Sequence, residues 1–257
     1  MEVIYVNEAN LSVLQENSRD VAMALGYFDG VHLGHQKVVK IARQKALKNQ
    51  LSLAVLSFFP HPKNVLIPGY EISYLEPIEQ KIEKLEQLGV DIFYVVEFTK
   101  DLAKLGPSEF IQEYVIGLGA KEIICGFDYT YGSRASGNAK TIKLHVASHI
   151  GVTIVEELKW RGQKISSTLI REYLNESRLQ DIPSLLGDYY KTKYCCKNGL
   201  LPNYSLPNIG EYKILVEKDG STSESIAVVK SKREIQFQND PGFESVFTIK
   251  WLEKIGS

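Results

Sequence analysis

The chain has 257 residues, 44% of them apolar and 24% charged, and this composition excludes a disordered or low-complexity protein. Thirty Lys and Arg against 31 Asp and Glu leave a net charge of -1, so bulk charge gives no basis for binding nucleic acid or an anionic membrane. No apolar run approaches the roughly 18 residues of a spanning helix, and the N-terminus carries acids where a signal peptide carries bases. We therefore expect a cytoplasmic protein whose three cysteines are core residues.

From Val21 to about Leu158, short apolar runs rich in β-formers alternate with amphipathic stretches. This alternation predicts α/β architecture, a doubly wound parallel sheet with right-handed helical crossovers. The predicted strands are residues 21–27, 51–59, 92–98, 121–127 and 152–158. Helices are predicted over 77–88 and 107–119, each opening with proline. The charged residues in 40–50 and 79–87 are interpreted as solvated helix surfaces.

After about Gly187 the pattern changes to short alternating runs separated by turn signals, among them KNG at 197–199, DG at 219–220 and NDPG at 239–242. These features predict a small C-terminal all-β domain. We therefore expect two domains, residues 1–186 and 187–257.

The stretch GYFDGVHLGHQ, residues 26–36, directly follows a predicted central strand. In open parallel sheets, ligands bind where a strand ends and the next helix begins, because unpaired N–H groups face outward there. Glycines let the loop backbone approach a ligand, and His32 and His35 lie three residues apart near the helix start. The stretch predicts a phosphate-binding loop, and the alternative is a glycine-rich turn with two surface histidines.

A second candidate anion site is KISSTLIREYL, residues 164–174, in which hydroxyl side chains precede a helix and can cap it. The pattern places Arg171 in the first helical turn. A cation faces the positive end of the helix dipole there, which is unfavourable unless an anion lies nearby. The alternative is an arginine that reaches solvent or the neighbouring Glu172.

Four motifs in order resemble those of one enzyme family over residues 15–186. GYFDGVHLGHQ is similar to the H-x-G-H motif of nucleotidylyltransferases, in the version carried by bacterial bifunctional riboflavin kinase/FMN adenylyltransferases. Residues 164–174 resemble the family's I-S-S-T-x-I-R motif. FFPHP at 58–62 resembles F-x-P-H-P, and CGFDYTYG at 125–132 resembles G-x-D/N-F-x-F-G.

The resemblance implies transfer of AMP from ATP to FMN, giving FAD and pyrophosphate by direct attack of the FMN phosphate on the α-phosphorus, with Mg²⁺. It implies catalytic roles for His32, His35 and Arg171. It assigns ATP binding to these histidines and this arginine together with Gly26, Tyr27, Phe28, Asp29, Gly30, Ser166, Ser167 and Thr168. It assigns FMN binding to Pro60, His61, Pro62, Asp128 and Tyr131. Asp128 is also a candidate magnesium ligand, and Asp29 either contacts the ligand or organises the loop.

The family's second module phosphorylates riboflavin with a P-T-A-N segment. The corresponding residues 197–212 contain no such segment, and the module is shortened. We therefore predict a kinase-like β domain without kinase activity, which either stabilises the chain, keeps a weak flavin site or forms a dimer contact. Alternatives for the whole chain are transfer to another phosphate acceptor, or a non-catalytic protein that binds flavin nucleotides.

Overall fold

In the computed structural model, the chain forms two compact units, and the structure describes residues 1–195, 199–201, 204–238 and 246–256. The first unit contains Met1–Ile72 and Glu79–Glu157, and the second contains Ser73–Ile78 and Leu158–Ser257. By its contacts, the segment 158–186 thus belongs with the C-terminal strands. The assignment of residues 1–186 to one functional domain concerns activity and stays a prediction.

The first unit is built on a six-stranded parallel sheet in the order β1-β4-β3-β2-β5-β8. Its strands are β1 (Glu2–Val6), β2 (Val21–Leu25), β3 (Ser52–Phe59), β4 (Ile92–Glu97), β5 (Ala120–Gly126) and β8 (Gly151–Val155), with the short pair β6 (Thr130–Tyr131) and β7 (Gly137–Asn138) between the last two. The predicted doubly wound parallel sheet and its five strands are confirmed. Strand β1 was not predicted, and it lies at the sheet edge, where it pairs only with β4.

Helices connect these strands: α1 (Leu11–Glu16), α2 (Leu33–Asn49), α3 (Pro62–Leu66), α4 (Ile78–Gln87) and α5 (Pro107–Phe110). The helix predicted over 107–119 is present but continues from α5 as a π-helix over Ile111–Ile116. The prediction that the charged residues of 79–87 are solvated is wrong for Lys81. Gln80 and Lys81 of α4 are buried together with Leu85.

The second unit contains the hairpin β9 (Lys159–Trp160) and β10 (Gln163–Lys164), the helices α6 (Ser167–Asn175) and α7 (Pro183–Leu186), and an antiparallel sheet. The strands of that sheet are β11 (Tyr190–Cys195), β12 (Gly199–Leu200), β13 (Gly210–Lys218), β14 (Ser221–Ser231), β15 (Glu234–Phe237) and β16 (Val246–Ile255). The edge strands β12 and β15 approach each other, so the sheet is nearly closed. The predicted C-terminal all-β architecture is confirmed, although the predicted turn at 239–242 lies outside the described residues.

Burial agrees with the expected core role for one cysteine. Cys125 of β5 is fully buried, and burial together with the nearby charge of Asp128 raises the pKa of its thiol to about 12. Cys195 is partly buried, and Cys196 lies outside the described residues. None of the helices in the described part of the chain has both the length and the apolar character that crossing a membrane requires.

Two strands of the C-terminal sheet are joined by a buried polar contact between side chains. Trp251 of β16 donates its indole Nε1–H to Thr192 Oγ1 of β11 over 3.0 Å, and both side chains are 0% exposed. A buried donor that loses its acceptor keeps its full desolvation cost. Thr192 therefore satisfies the tryptophan that fills the centre of this core.

We predict that Thr192→Val lowers the free energy of unfolding by about 1 to 3 kcal/mol, because valine keeps the side-chain volume but leaves the indole N–H unsatisfied. Thr192→Ser is the matched control, since it keeps the acceptor and removes only a methyl group. Urea titration followed by circular dichroism measures both. An equal loss for valine and serine would contradict the role of the hydrogen bond.

Candidate active site

The loop between β2 and α2 contains the first predicted motif. All five residues of β2 are buried, and the chain then passes through a 3-10 turn, Asp29–Val31, before α2 begins at Leu33. Phe28, Gly30 and Val31 have φ values of 55°, 78° and 39°. Left-handed backbone costs a non-glycine residue roughly 1 to 3 kcal/mol and persists only where the surroundings impose it. The loop is therefore held by contacts rather than by its own preference.

Part of this support is visible beside the strand ends. Ser57 of β3 is fully buried and donates its hydroxyl to the carbonyl oxygen of Tyr27 at 2.8 Å. Gln36 of α2 donates its side-chain amide to the carbonyl oxygen of Val31 at 3.0 Å. The sequence pattern predicts a role for neither residue, because a serine within a strand and a glutamine on a helix have no distinguishing pattern.

His32 is the N-cap of α2. Its Nδ1 accepts a hydrogen bond from the backbone N–H of His35 at 3.2 Å, and the side chain is buried. In a neutral imidazole only one ring nitrogen carries the proton, so an accepting Nδ1 leaves the proton on Nε2. The fold thereby fixes His32 as an Nε2–H donor.

His35 stacks on His32. The ring centroids are 3.6 Å apart and the planes are inclined by 16°. The ring of Phe28 packs against His35 at 5.2 Å in an edge arrangement. The structure thus brings together the two histidines that the sequence singles out and fixes both rings at the start of one helix.

Other residues of this loop lie beneath its surface. Phe28 and Asp29 are 1% and 3% exposed. A Cβ at Gly26 would lie 3.0 Å from the Phe28 ring, so the backbone approaches this ring at a distance suited to glycine. Burial of Asp29 favours the loop-organising role over ligand contact. Gly30 takes the left-handed conformation that the turn requires.

The FFPHP motif follows β3, the neighbour of β2. His61 is the N-cap of α3, and its Nδ1 accepts from the backbone N–H of Lys63 at 3.0 Å. The His61 ring meets the Tyr27 ring at 4.5 Å in an edge arrangement. Pro60 precedes this cap and Pro62 is the first residue of α3. The second motif therefore contacts the first through one pair of rings.

The GFDYTYG motif follows β5, the other neighbour of β2. Asp128 is exposed, as is Phe127, 40% of whose surface is accessible. Tyr131 is only 5% exposed, and a Cβ at Gly137 would lie 2.6 Å from its ring. The aromatic side chain that is accessible at this strand end is thus Phe127. The sequence feature that could have indicated Phe127 as a site residue is its position immediately after β5, the neighbour of β2.

The second candidate anion site, residues 164–174, lies in the second unit. Ser166 is the N-cap of α6 and accepts from the backbone N–H of Leu169 at 3.2 Å, so the predicted hydroxyl cap is present. Ser167 and Thr168 are the first two residues of the helix, and Thr168 is exposed.

The placement of Arg171 in the first turn of α6 is wrong. Because the helix begins at Ser167, Arg171 begins its second turn. Its guanidinium nevertheless reaches back to the helix start, donating to the carbonyl oxygens of Ser167 at 3.3 Å and Ser73 at 3.1 Å. Long side chains on a helix point toward its N-terminus, which explains this contact. A shared phosphate site for the histidine and arginine motifs stays a prediction.

A sequence model of the family described as FAD synthetase matches residues 14–169. This range contains the His32 loop and both the FFPHP and GFDYTYG motifs. The chain belongs to the FAD synthetase family. In the first unit of this FAD synthetase family member, the three matched stretches follow three neighbouring strands, β3, β2 and β5.

Individual proteins agree with this assignment. The chain is 37% identical to the bifunctional riboflavin kinase/FMN adenylyltransferase of Bacillus subtilis (strain 168), over 90% of this chain and 78% of that protein. It is 30% identical to the FAD synthetase of Listeria monocytogenes serovar 1/2a, over 96% and 97% of the two chains. A crystal structure named macrolide-efflux protein from Streptococcus pneumoniae matches with a TM-score of 0.86 and 27% identity, over 99% of this chain and 91% of that chain.

Tyr129 combines a stacked ring with a buried hydroxyl. Its ring lies 5.7 Å from that of Tyr131 with an interplanar angle of 18°, and its hydroxyl has no hydrogen-bond partner among the described residues. Burial, with smaller effects of Cys125 and Tyr131, raises the pKa of Tyr129. The hydroxyl therefore carries a desolvation cost that no contact offsets.

We predict that Tyr129→Phe keeps or raises the free energy of unfolding, by up to about 1 kcal/mol, because it removes a buried polar atom and keeps the stacked ring. Tyr131→Phe is the matched comparison, since the Tyr131 hydroxyl lies 3.4 Å from Thr141 Oγ1. We expect that variant to be the less stable of the two in thermal unfolding. The reverse order would show that the Tyr129 hydroxyl has a stabilising partner.

Proposed function

We propose that this chain is an FMN adenylyltransferase, which transfers AMP from ATP to FMN and releases FAD and pyrophosphate. Family membership supports the reaction, and both relatives described above carry FMN adenylyltransferase or FAD synthetase in their names. The observation that carries the proposal is the helix-capping His32, whose ring proton is fixed on Nε2 within the matched region. We place the reaction in the cytoplasm, as the sequence predicts.

The chemistry needs no covalent nucleophile on the protein. The phosphate of FMN is ionised at neutral pH and attacks the α-phosphorus of ATP, forming a P–O bond while the bond to pyrophosphate breaks. The protein must align two anions and stabilise charge that grows on the α-phosphoryl oxygens. The Nε2–H of His32, the adjacent His35 and the N-terminal dipole of α2 supply donors suited to this task.

We assign the remaining substrate contacts from the motifs. His61, between Pro60 and Pro62, is a donor for the FMN phosphate end, because its Nδ1 is also occupied as an acceptor. Exposed Phe127 is a stacking surface for the flavin ring. Buried Tyr131 serves this role only if the segment at Gly137 moves.

From their motif, we assign Ser166, Ser167, Thr168 and Arg171 to the β- and γ-phosphates of ATP. Mg²⁺ bound to the triphosphate neutralises its charge, and this ion keeps several waters and takes one or two protein carboxylates. Asp128, an exposed carboxylate just after β5, would supply an oxygen ligand of the kind that such an ion takes.

We predict that His32→Asn lowers kcat for FAD formation by about 10²- to 10³-fold while the KM for FMN changes little, because a donor to the transition state is lost. Asparagine keeps an acceptor for the N-cap but has no counterpart of Nε2–H. His32→Ala should lose a similar factor, which separates donation from helix capping. Steady-state assays with MgATP and FMN, with flavins separated by chromatography, give both parameters.

The control for this experiment is His149→Ala, which removes an exposed histidine from the same unit. It should retain wild-type kcat. Equal losses in kcat and FMN binding for His32→Asn would restrict His32 to a binding role. Nicotinamide and pantetheine phosphates serve as alternative acceptors in the same assay. Pyrophosphate release with one of them but not with FMN would assign another substrate, and FMN binding without any product would indicate a non-catalytic protein.

We further propose that the C-terminal sheet has no riboflavin kinase activity, because the region 197–212 lacks the P-T-A-N segment. Purified chain incubated with MgATP and riboflavin should form no FMN above the enzyme-free background. The Bacillus subtilis bifunctional relative, assayed in parallel, controls for the assay conditions. Sustained FMN production would overturn this prediction.

A further inference from the structure

Two lysines of helix α4 donate hydrogen bonds to backbone carbonyls of the His32 loop, between β2 and α2. Lys81 Nζ donates to the carbonyl oxygen of Tyr27 at 2.9 Å, and Lys84 Nζ donates to the carbonyl oxygen of Gly30 at 3.3 Å. The two lysines are three residues apart on one helix, so they lie on the same face. Neither belongs to any of the four motifs, and both donate to carbonyls within the His32 loop.

Lys81 is the more constrained of the two. Its side chain is 3% exposed, and lysine is almost never buried so completely unless its charged end is paired. Its Nζ also lies 4.7 Å from the centroid of the Tyr27 ring. The carbonyl of Tyr27 accepts a second hydrogen bond from Ser57 Oγ at 2.8 Å. One carbonyl is thus held by a cationic donor and a neutral donor, both buried.

The orientation of the Tyr27 carbonyl determines the orientation of the Phe28 N–H. The peptide bond is planar and trans, so the Tyr27 carbonyl and the Phe28 N–H belong to one rigid unit and point in opposite directions. None of the described residues accepts a hydrogen bond from the Phe28 N–H. Phe28 itself has left-handed backbone, which needs external support. The two donors therefore determine where a loop amide is aimed.

We propose that Lys81 is a positioning residue for adenylyl transfer, which orients the Tyr27–Phe28 peptide so that its N–H donates to a phosphate oxygen of ATP. The inference rests on the proposed function and adds to it a residue outside the family motifs. Lys81 acts through the loop backbone and does not itself touch substrate. Its charge strengthens the hydrogen bond to Tyr27 relative to that from Ser57.

The test compares kinetics of four variants in the full chain. Lys81→Met removes charge and donor, Lys81→Gln keeps an N–H donor without the charge, Lys81→Arg keeps both, and Ser57→Ala removes the neutral donor. We expect Lys81→Met to lower kcat by about 10- to 100-fold with the KM for FMN within about twofold of wild type. Lys81→Gln and Ser57→Ala should lose less, and Lys81→Arg should recover most of the activity.

Hydrogen exchange gives a readout independent of turnover. Amides of residues 26–32 should exchange faster in Lys81→Met than in wild type, because the loop loses its strongest constraint. Lys48→Met is the matched control for loss of a lysine charge. Lys48 is exposed in the last turn of α2, at the opposite end from the loop, and this variant should match wild type in both measurements.

The outcomes are separable. Wild-type chain that forms no FAD would reject the proposed function before any variant is compared. Active wild type with unchanged kcat in Lys81→Met or Lys81→Gln would overturn the inference, as would a rise in the KM for FMN equal to the fall in kcat. If neither of these two variants folds, Ser57→Ala decides, because wild-type kcat in that variant would reject control of turnover through the Tyr27 carbonyl.

Discussion

The candidate active site depends on a backbone turn that the chain would not adopt by itself. Between β2 and α2, left-handed conformations at Phe28 and Val31 store strain, and polar donors from β3, α2 and α4 hold the loop carbonyls against it. A hydrogen bond to one side of a planar peptide also directs the N–H on its other side. The contacts that support the loop therefore also orient the amide that we propose as a donor to an anion.

Two histidines at the ends of neighbouring strands have the same structural role. His32 and His61 both cap the helix that follows their strand, and in each the Nδ1 accepts a backbone N–H. Capping thus stabilises a helix start and at the same time selects the tautomer with its proton on Nε2. Because β2 and β3 are adjacent and parallel, the two caps lie at one edge of the sheet, and the Tyr27–His61 ring contact connects their loops.

Features that depend on local pattern were predictable, and those that depend on distant contacts were not. The buried strands and the hydroxyl cap at Ser166 follow from short runs of residues. Lys81 lies in a charged stretch that indicates a solvated surface, yet it is buried, and its Nζ contacts the carbonyl and the ring of Tyr27, which is remote in sequence. Tyr131 and Phe127 illustrate the same limit, since alternation alone does not reveal that Gly137 covers one ring.

The C-terminal sheet contacts the helix that contains Arg171, within the same unit. Tyr212 of β13 shares a hydrogen bond of 2.8 Å with Ser177, directly after α6, and Asn208 donates its backbone N–H to Leu174 of that helix. The Ser73 carbonyl accepts from both Arg171 and Ser205 Oγ, so the arginine shares its anchor with the segment that leads into the sheet. Because these contacts join α6 and the anchor of its arginine to the C-terminal sheet, we expect the sheet to help position both.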